Sequence, residues 1–330
     1  MPKITTDDVR AFLKTLKDKE ITLTDLRKEL KIRPEDKAFD DIRTIVFYLV
    51  EQGEIKPTGK RGVYKIIKKV VPVPVFSVER ERKPPFDLKF PRDRDTEIEI
   101  PIAGKVVIRE GDLILISGVS NYGKTCISLN FLGENIYYHP VLMGNEFTKL
   151  EEPTPRFLAR LDAMDWVQWV NSDNQDKFTL LPIFEDFAEN VVKDKINIMD
   201  WINVESGEHF LIGNILNNIK RAVGNGVALV VIQKSEYSEK GRGGQFTQDF
   251  TDFELLIDKH GQTESRLTMG KCKESTERLT GRSWAFGIVN HGVSIVNVRE
   301  VQKCPKCYGR AKQCVLCNGI GWIDKKGERN

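Results

Sequence analysis

The sequence predicts an α/β protein with a mainly parallel sheet, and three observations predict it. An apolar run over residues 111–118 leads into a glycine-bounded loop and then a helical pattern. From about residue 97 to 299 short apolar strands alternate with helices, the order that builds parallel strands joined by helical crossovers. Three of those strands end in a residue with ligand-facing chemistry, Glu146, Asp200 and Gln233. Two smaller modules flank this 97–299 domain. Residues 1–70 precede it through a proline-rich linker over 71–96, and a cysteine module occupies 300–330.

In the first 70 residues, Val9, Phe12, Leu13 and Leu16 recur at helical spacing behind Thr6 or Asp7 as a cap. Thr24 is the expected cap of a second short helix carrying Leu26 and Leu30, and a third helix starts after Pro34 and stops at Gly53. Glu54 to Pro57 and Val63 to Ile67 alternate like two strands around the Thr58–Gly62 turn. Three helices followed by a hairpin resemble a winged helix, a fold that contacts either DNA or protein. Asp36, Asp40 and Asp41 at the head of the third helix would repel phosphates, so Lys56, Lys60, Arg61 and Lys65 of the hairpin are the expected DNA contacts. Five of the 14 prolines fall between Val71 and Asp95, which reads as an extended connector.

Charge alone excludes little. The 330 residues carry 51 Lys and Arg against 48 Asp and Glu, a net charge of +3, but residues 1–70 hold 17 of the basic and 12 of the acidic groups. The basic surplus is therefore N-terminal. No apolar run approaches the roughly 18 residues that cross a bilayer, and no apolar signal region follows Met1. The expectation is a soluble, cytoplasmic protein with no membrane partner.

The segment Gly118-Val-Ser-Asn-Tyr-Gly-Lys124-Thr125 fits G-x-x-x-x-G-K-[ST] between a strand and a helix, the context that the pattern requires. Gly118 and Gly123 let backbone N–H groups turn inward around phosphate oxygens, and the helix N-terminus adds its dipole. Lys124 is expected to meet the terminal phosphates and the Thr125 hydroxyl to ligate Mg²⁺, with Ser120, Asn121, Tyr122 and Cys126 completing an ATP-binding loop.

This loop, with Glu146, Asp200 in Ile-Met-Asp-Trp and Gln233 at their strand ends, resembles the RecA-like ATPases, and more narrowly the replicative hexameric helicases of the DnaB type. The resemblance covers about residues 97–298. It implies that Glu146 activates the attacking water, Asp200 holds Mg²⁺ through water, and Gln233 senses the γ-phosphate. It also implies a DNA-facing loop over Lys234–Phe246, with Lys234, Lys240 and Arg242 on the backbone of single-stranded DNA. Family members present a Lys-x-Arg pair to the neighbouring subunit's γ-phosphate. Here the pair is Lys271-Cys-Lys273, so Lys273 stands in the arginine's place and Arg278 or Arg282 are the alternative trans-acting groups.

Cys304-Pro-Lys-Cys307 and Cys314-Val-Leu-Cys317 repeat with an offset of ten, each followed by a glycine. Four thiolates suffice for one closed structural Zn²⁺ and fit a reducing compartment better than a disulfide framework. The Cys-x-x-Cys-x-Gly units resemble the zinc repeats of DnaJ-type co-chaperones, and the following glycines, Gly309 and Gly319, are expected to bring backbone N–H groups to the sulfurs. Cys126 and Cys272 read as ordinary buried cysteines, and His139, His209, His260 and His291 show no ligand spacing. The expected function is an ATP-driven motor, a homo-oligomer with six subunits in a ring, acting on DNA in replication or recombination. A recombinase-like or regulatory ATPase that clamps DNA, and a nucleotide-gated DNA-binding adaptor, are the alternatives.

Overall fold

The computed structural model describes residues 4–16, 20–33, 38–67, 72–76, 83–203, 211–235, 241, 244–310 and 313–325. The chain divides into two compact units, residues 1–82 and 83–330.

Capping decides where the first unit's helices begin. Helix α1 (Thr6–Thr15) is capped by Thr5, not by Thr6 or Asp7, because Asp8 at the third helical position returns a hydrogen bond to the cap residue's N–H. The same Thr-x-x-Asp box moves the second cap from Thr24 to Thr22, which closes strand β1 (Glu20–Thr22) and opens α2 (Leu23–Glu29). Helix α3 (Ala38–Glu51) ends before Gly53 at φ 66°, as the glycine predicts. Strands β2 (Ile55–Pro57) and β3 (Val63–Ile66) form the expected hairpin. Strand β1, too short to read from periodicity, pairs with β3 and makes the sheet three-stranded. Val9, Leu26, Ile42, Leu49 and Ile55 close the core, whereas Lys56, Lys60, Arg61 and Lys65 are exposed.

In the second unit, residues 83–96 depart from the connector reading. Leu88 and Phe90 are buried, Phe90 packs edge-on against Phe131, and Asn135 exchanges two hydrogen bonds with the Lys89 backbone. Alternate apolar residues among the prolines give this stretch a buried side, and Arg92 and Arg94 find Glu134. Strands β4 (Arg92–Asp93) and β5 (Ile98–Glu99) follow, then β6 (Leu113–Gly118) and α4 (Lys124–Glu134). Next come β7 (Val141–Met143), a small hairpin of β8 (Thr148–Lys149) and β9 (Glu152–Pro153), and α5 (Pro155–Asp162). Strand β10 (Thr179–Leu181) leads to β11 (Ile196–Ile202), α6 (Ile212–Ala222), β12 (Val227–Gln233) and the short α7 (Phe246–Asp249). The chain ends through β13 (Phe253–His260), β14 (Glu264–Cys272), β15 (Ser283–Val289), β16 (Ser294–Lys303) and β17 (Trp322–Asp324).

These strands form one sheet in the order β10-β7-β11-β12-β6-β13-β14-β15-β16-β4-β5, with β17 on β16. The pairs from β10 to β13 are parallel and those from β13 to β16 antiparallel. Both faces of the parallel part are covered. Ile114 and Ile116 of β6 belong to the core that holds α4, and Leu113 and Leu115 to the core that holds α6. Two-sided burial is why these strands read as continuous apolar runs with no polar alternation. The expected boundary at 299/300 falls inside β16, so the cysteine module continues from the sheet.

Asp112, at the foot of β6, accepts the Arg109 backbone N–H at 2.7 Å. Burial, more than the neighbouring Asp252, pushes its carboxyl up to about 6. Its contribution to stability is therefore complete below the ordinary carboxylate range, near pH 4, and is lost as pH rises through about 6. Asp112→Asn should gain urea resistance relative to the unchanged protein as pH is raised from about 4 to about 8. Parallel pH profiles for the two proteins would refute this.

Candidate functional site

Strand β6 ends at Gly118 and α4 begins at Lys124, with the glycine-bounded loop between them. Gly123 caps α4 at φ 96°, a left-handed conformation that side chains resist. The Lys124 ammonium lies inside the loop's curve and donates to the Val119 carbonyl at 3.0 Å. Gln233, in register with Gly118 on the adjacent strand, donates its amide to Ser120 Oγ at 2.7 Å.

Asp200 is buried on β11, where the Ser128 hydroxyl donates to its Oδ2 at 2.6 Å. Its Oδ1 is buried with no hydrogen-bond partner. Burial raises the carboxyl's pKa, opposed by hydrogen bonds from Ser128 and Thr125 and reinforced by Glu146. Glu146 is exposed three residues beyond the end of β7, a strand shorter than the expected 139–146, and its Oε1 accepts the Trp201 indole N–H at 2.9 Å. Gly144 makes that turn feasible, because a Cβ there would lie 2.1 Å from the Asp200 carbonyl oxygen.

All of the sequence-predicted loop residues except Gly118 line one cleft of about 960 Å³, from Ser120 through Cys126, and Glu146, Asp200 and Gln233 line it too. Gly118 lies at the loop's base, its Cα packed against the Lys124 stem. The cleft also contains residues that sequence reasoning did not single out, among them Trp201, Thr154, Arg156 and Arg160. Their signal is faint but present. Thr154-Pro155 is a cap followed by proline at the first helical position, which opens α5 and sets Arg156 and Arg160 one turn apart. Ser128 stands similarly one turn after Thr125.

Other predicted residues lie elsewhere. Lys234 does not face outward; its ammonium is 3% exposed and ion-paired to Asp258, which Arg266 also holds. Lys240 and Arg242 lie outside the described residues. Lys271 and Lys273 sit at the far end of β14, beside the foot of β6 and away from the glycine-bounded loop. There Lys271 donates to the Gln248 carbonyl and Lys273 pairs with Asp252 at 2.7 Å. Arg282 pairs with Glu300 and Glu277, and Arg278 is exposed.

The four cysteines converge as their spacing predicts. Their sulfurs all lie within 4.8 Å of one another and the four residues are buried, so they could hold a metal such as zinc. Four bonds of about 2.3 Å to a tetrahedral centre require sulfurs about 3.8 Å apart. Cys304 and Cys314 are separated by 3.8 Å and Cys307 and Cys317 by 3.6 Å. Among the described residues the Gly321 N–H donates to Cys317 Sγ at 3.2 Å, and Gly309 and Gly319 turn the two knuckles at φ 81° and 77°. Cys126 is buried and Cys272 half-buried, both free thiols. No helix among the described residues is long and apolar enough to cross a membrane. No family model matches the chain, and no curated protein matches it in sequence.

Two outcomes follow. The protein should bind about one equivalent of zinc; chelation should loosen the β16–β17 end, read as faster hydrogen exchange over 300–325 with the β6–β12 core unchanged, and Cys304→Ser should abolish binding. Lys234→Ala should cost roughly 1–3 kcal/mol of stability, because it leaves the Asp258 carboxylate short of a cation. Full stability with a selective loss of DNA affinity would instead put Lys234 at a surface.

Proposed function

We propose that this protein is an ATP-hydrolysing, DNA-binding motor of RecA-like design resembling the DnaB-type helicases, cytoplasmic and assembled as a ring. The observation that carries the reading is the convergence of Lys124, Thr125, Glu146, Asp200 and Gln233 on one cleft around a glycine-bounded loop. The buried, unpartnered Asp200 Oδ1 fits a nearby cation and its water shell. Thr125 and Asp200 would hold Mg²⁺, which neutralises charge on the transferring phosphoryl group.

In this mechanism the loop N–H groups and Lys124 bind the phosphate chain and orient the terminal phosphorus. Glu146, steadied by the Trp201 indole, orients the attacking water and takes its proton as the new P–O bond forms. The bond to the β–γ bridging oxygen breaks, leaving ADP and inorganic phosphate. Gln233 is tied to the loop through Ser120, so a change at the terminal phosphate reaches the end of β12 and the segment that follows it. Lys240 and Arg242 of that segment are the proposed contacts to single-stranded DNA. The N-terminal unit is proposed as a winged helix, with Lys56, Lys60 and Arg61 exposed on its hairpin. A trans-acting cation would come from Lys271, Lys273, Arg278 or Arg282 of a neighbouring subunit. Lys273 would have to leave Asp252 to serve.

The test is ATP hydrolysis with and without single-stranded DNA, with particle size followed by light scattering in the same samples. DNA-stimulated turnover by a discrete ring-sized species is expected, and Glu146→Gln should lower turnover about 100-fold or more while nucleotide still binds. Growth of particles with DNA length would favour a clamping filament. Unchanged turnover in Glu146→Gln would remove the water-activating role.

A further inference from the structure

Two guanidinium groups line the cleft from one helix. Arg156 and Arg160 lie one turn apart on α5, and both line the cleft with Lys124, Thr125 and Asp200. Among the described residues neither has a carboxylate within ion-pair distance, whereas Arg94, Arg266, Arg282 and Arg299 all do. Arg160 Nε is buried and meets no acceptor, an arrangement that costs free energy unless a ligand supplies one. Arg156 stands in the first turn of its helix, where the macrodipole disfavours a cation and an anion would reverse the sign. These are separate reasons for an anion beside α5.

The helix is held where such an anion would reach it. Thr154 caps it, and the buried Phe157 packs against Phe147, the residue after Glu146, with ring centroids 4.8 Å apart. Arg160 lines the same cleft as Lys124, Thr125 and Cys126, the first turn of α4 and the turn that would carry phosphate.

We propose that Arg156 and Arg160 form a second phosphate-binding wall of the cleft, gripping the phosphate chain of the nucleotide from α5 within the same subunit. The proposal rests on the nucleotide reading above. Guanidinium groups suit the role because they give paired donors to phosphate oxygens and stay charged at every physiological pH.

The experiment measures the affinity of the full chain, with magnesium, for ATP and for inorganic tripolyphosphate, which has the phosphate chain without base or sugar. Arg160→Ala and Arg156→Ala should each weaken both ligands about tenfold, and the double variant more. Arg160→Lys should recover part of the loss. Unchanged affinity for both ligands would overturn the proposal, as would weakened ATP with unchanged tripolyphosphate, which would assign the arginines to base or ribose. Lys124→Ala serves as the reference. If it leaves ATP binding intact, the nucleotide reading itself fails; if it abolishes binding while the arginine variants do not, only the α5 proposal fails. Thermal melting verifies that each variant is folded, and Arg160→Gln replaces Arg160→Ala if the latter is not.

Discussion

The parallel register of β6 between β12 and β13 is the constraint from which the site follows. Leu113 to Gly118 pair with Ala228 to Gln233 on one side and Ile114 to Gly118 pair with Phe253 to Ile257 on the other. Parallel pairing sends every carboxyl end to one edge, so residues scattered from Gly118 to Gln233 reach one cleft with no long side chain needed. The same geometry makes close packing there unavoidable. A glycine at 144 lets the chain leaving β7 cross the Asp200 carbonyl, and Ser128 fixes the Asp200 side chain from the adjacent helix. The cleft is thus a property of the sheet edge, and its chemistry is set by the few side chains that the strand ends carry.

What the sequence revealed, and what it hid, divides along physical lines. Apolar runs identified β6, β11 and β12, with glycine bounding β6 and preceding β12, because strands covered on both faces are largely apolar. The cysteine cluster was legible because ligand spacing is local. The caps lie at Thr5 and Thr22, one or two residues before the expected ones, since several neighbouring hydroxyl and carboxyl side chains compete for each helix start and only the reciprocal bond decides. Residues 83–96 read as connector because prolines and charges dominate them, yet the buried apolar side chains of Leu88 and Phe90 anchor the segment. Lys234 shows the hardest case. Next to a polar strand end it looked exposed, and only β13, which brings Asp258 across, explains its burial.

Charge pairing separates scaffold from site. Away from the cleft, several buried charges are matched by ions, Asp252 by Lys220 and Lys273 and Asp258 by Lys234 and Arg266, while buried Asp93 accepts the Asp95 and Val298 N–H groups. Even the unpartnered Nε atoms of Arg94 and Arg266 belong to groups that are ion-paired and lie over Trp166 and Trp322 at 3.7 and 3.9 Å. Arg160 has neither compensation among the described residues, and Asp200 keeps one oxygen unmatched. Unmatched charge of this kind is tolerated where a ligand of opposite sign completes it.

The cysteine module obeys a different logic, because a metal held there and the sheet would support one another. Strand β16 runs ten residues from the sheet interior to Lys303, one residue before the first cysteine. The chain then returns as β17, with Trp322 in register with Lys303 and the Cys304 N–H bonded to the Gly321 carbonyl. Arg299 bridges Glu264 of β14 and Asp324 of β17, and Arg266 lies over Trp322. Two knuckles of this length bury little apolar surface, so a metal held by the four sulfurs would supply folding free energy that a core would otherwise provide. Because β17 begins directly after Gly321, which packs against Gly309 of the first knuckle, that free energy would be transmitted to the strand pairing at the sheet's end. The module therefore works as an extension of the sheet, which gives its exposed Tyr308, Val315 and Leu316 a defined position on the second unit.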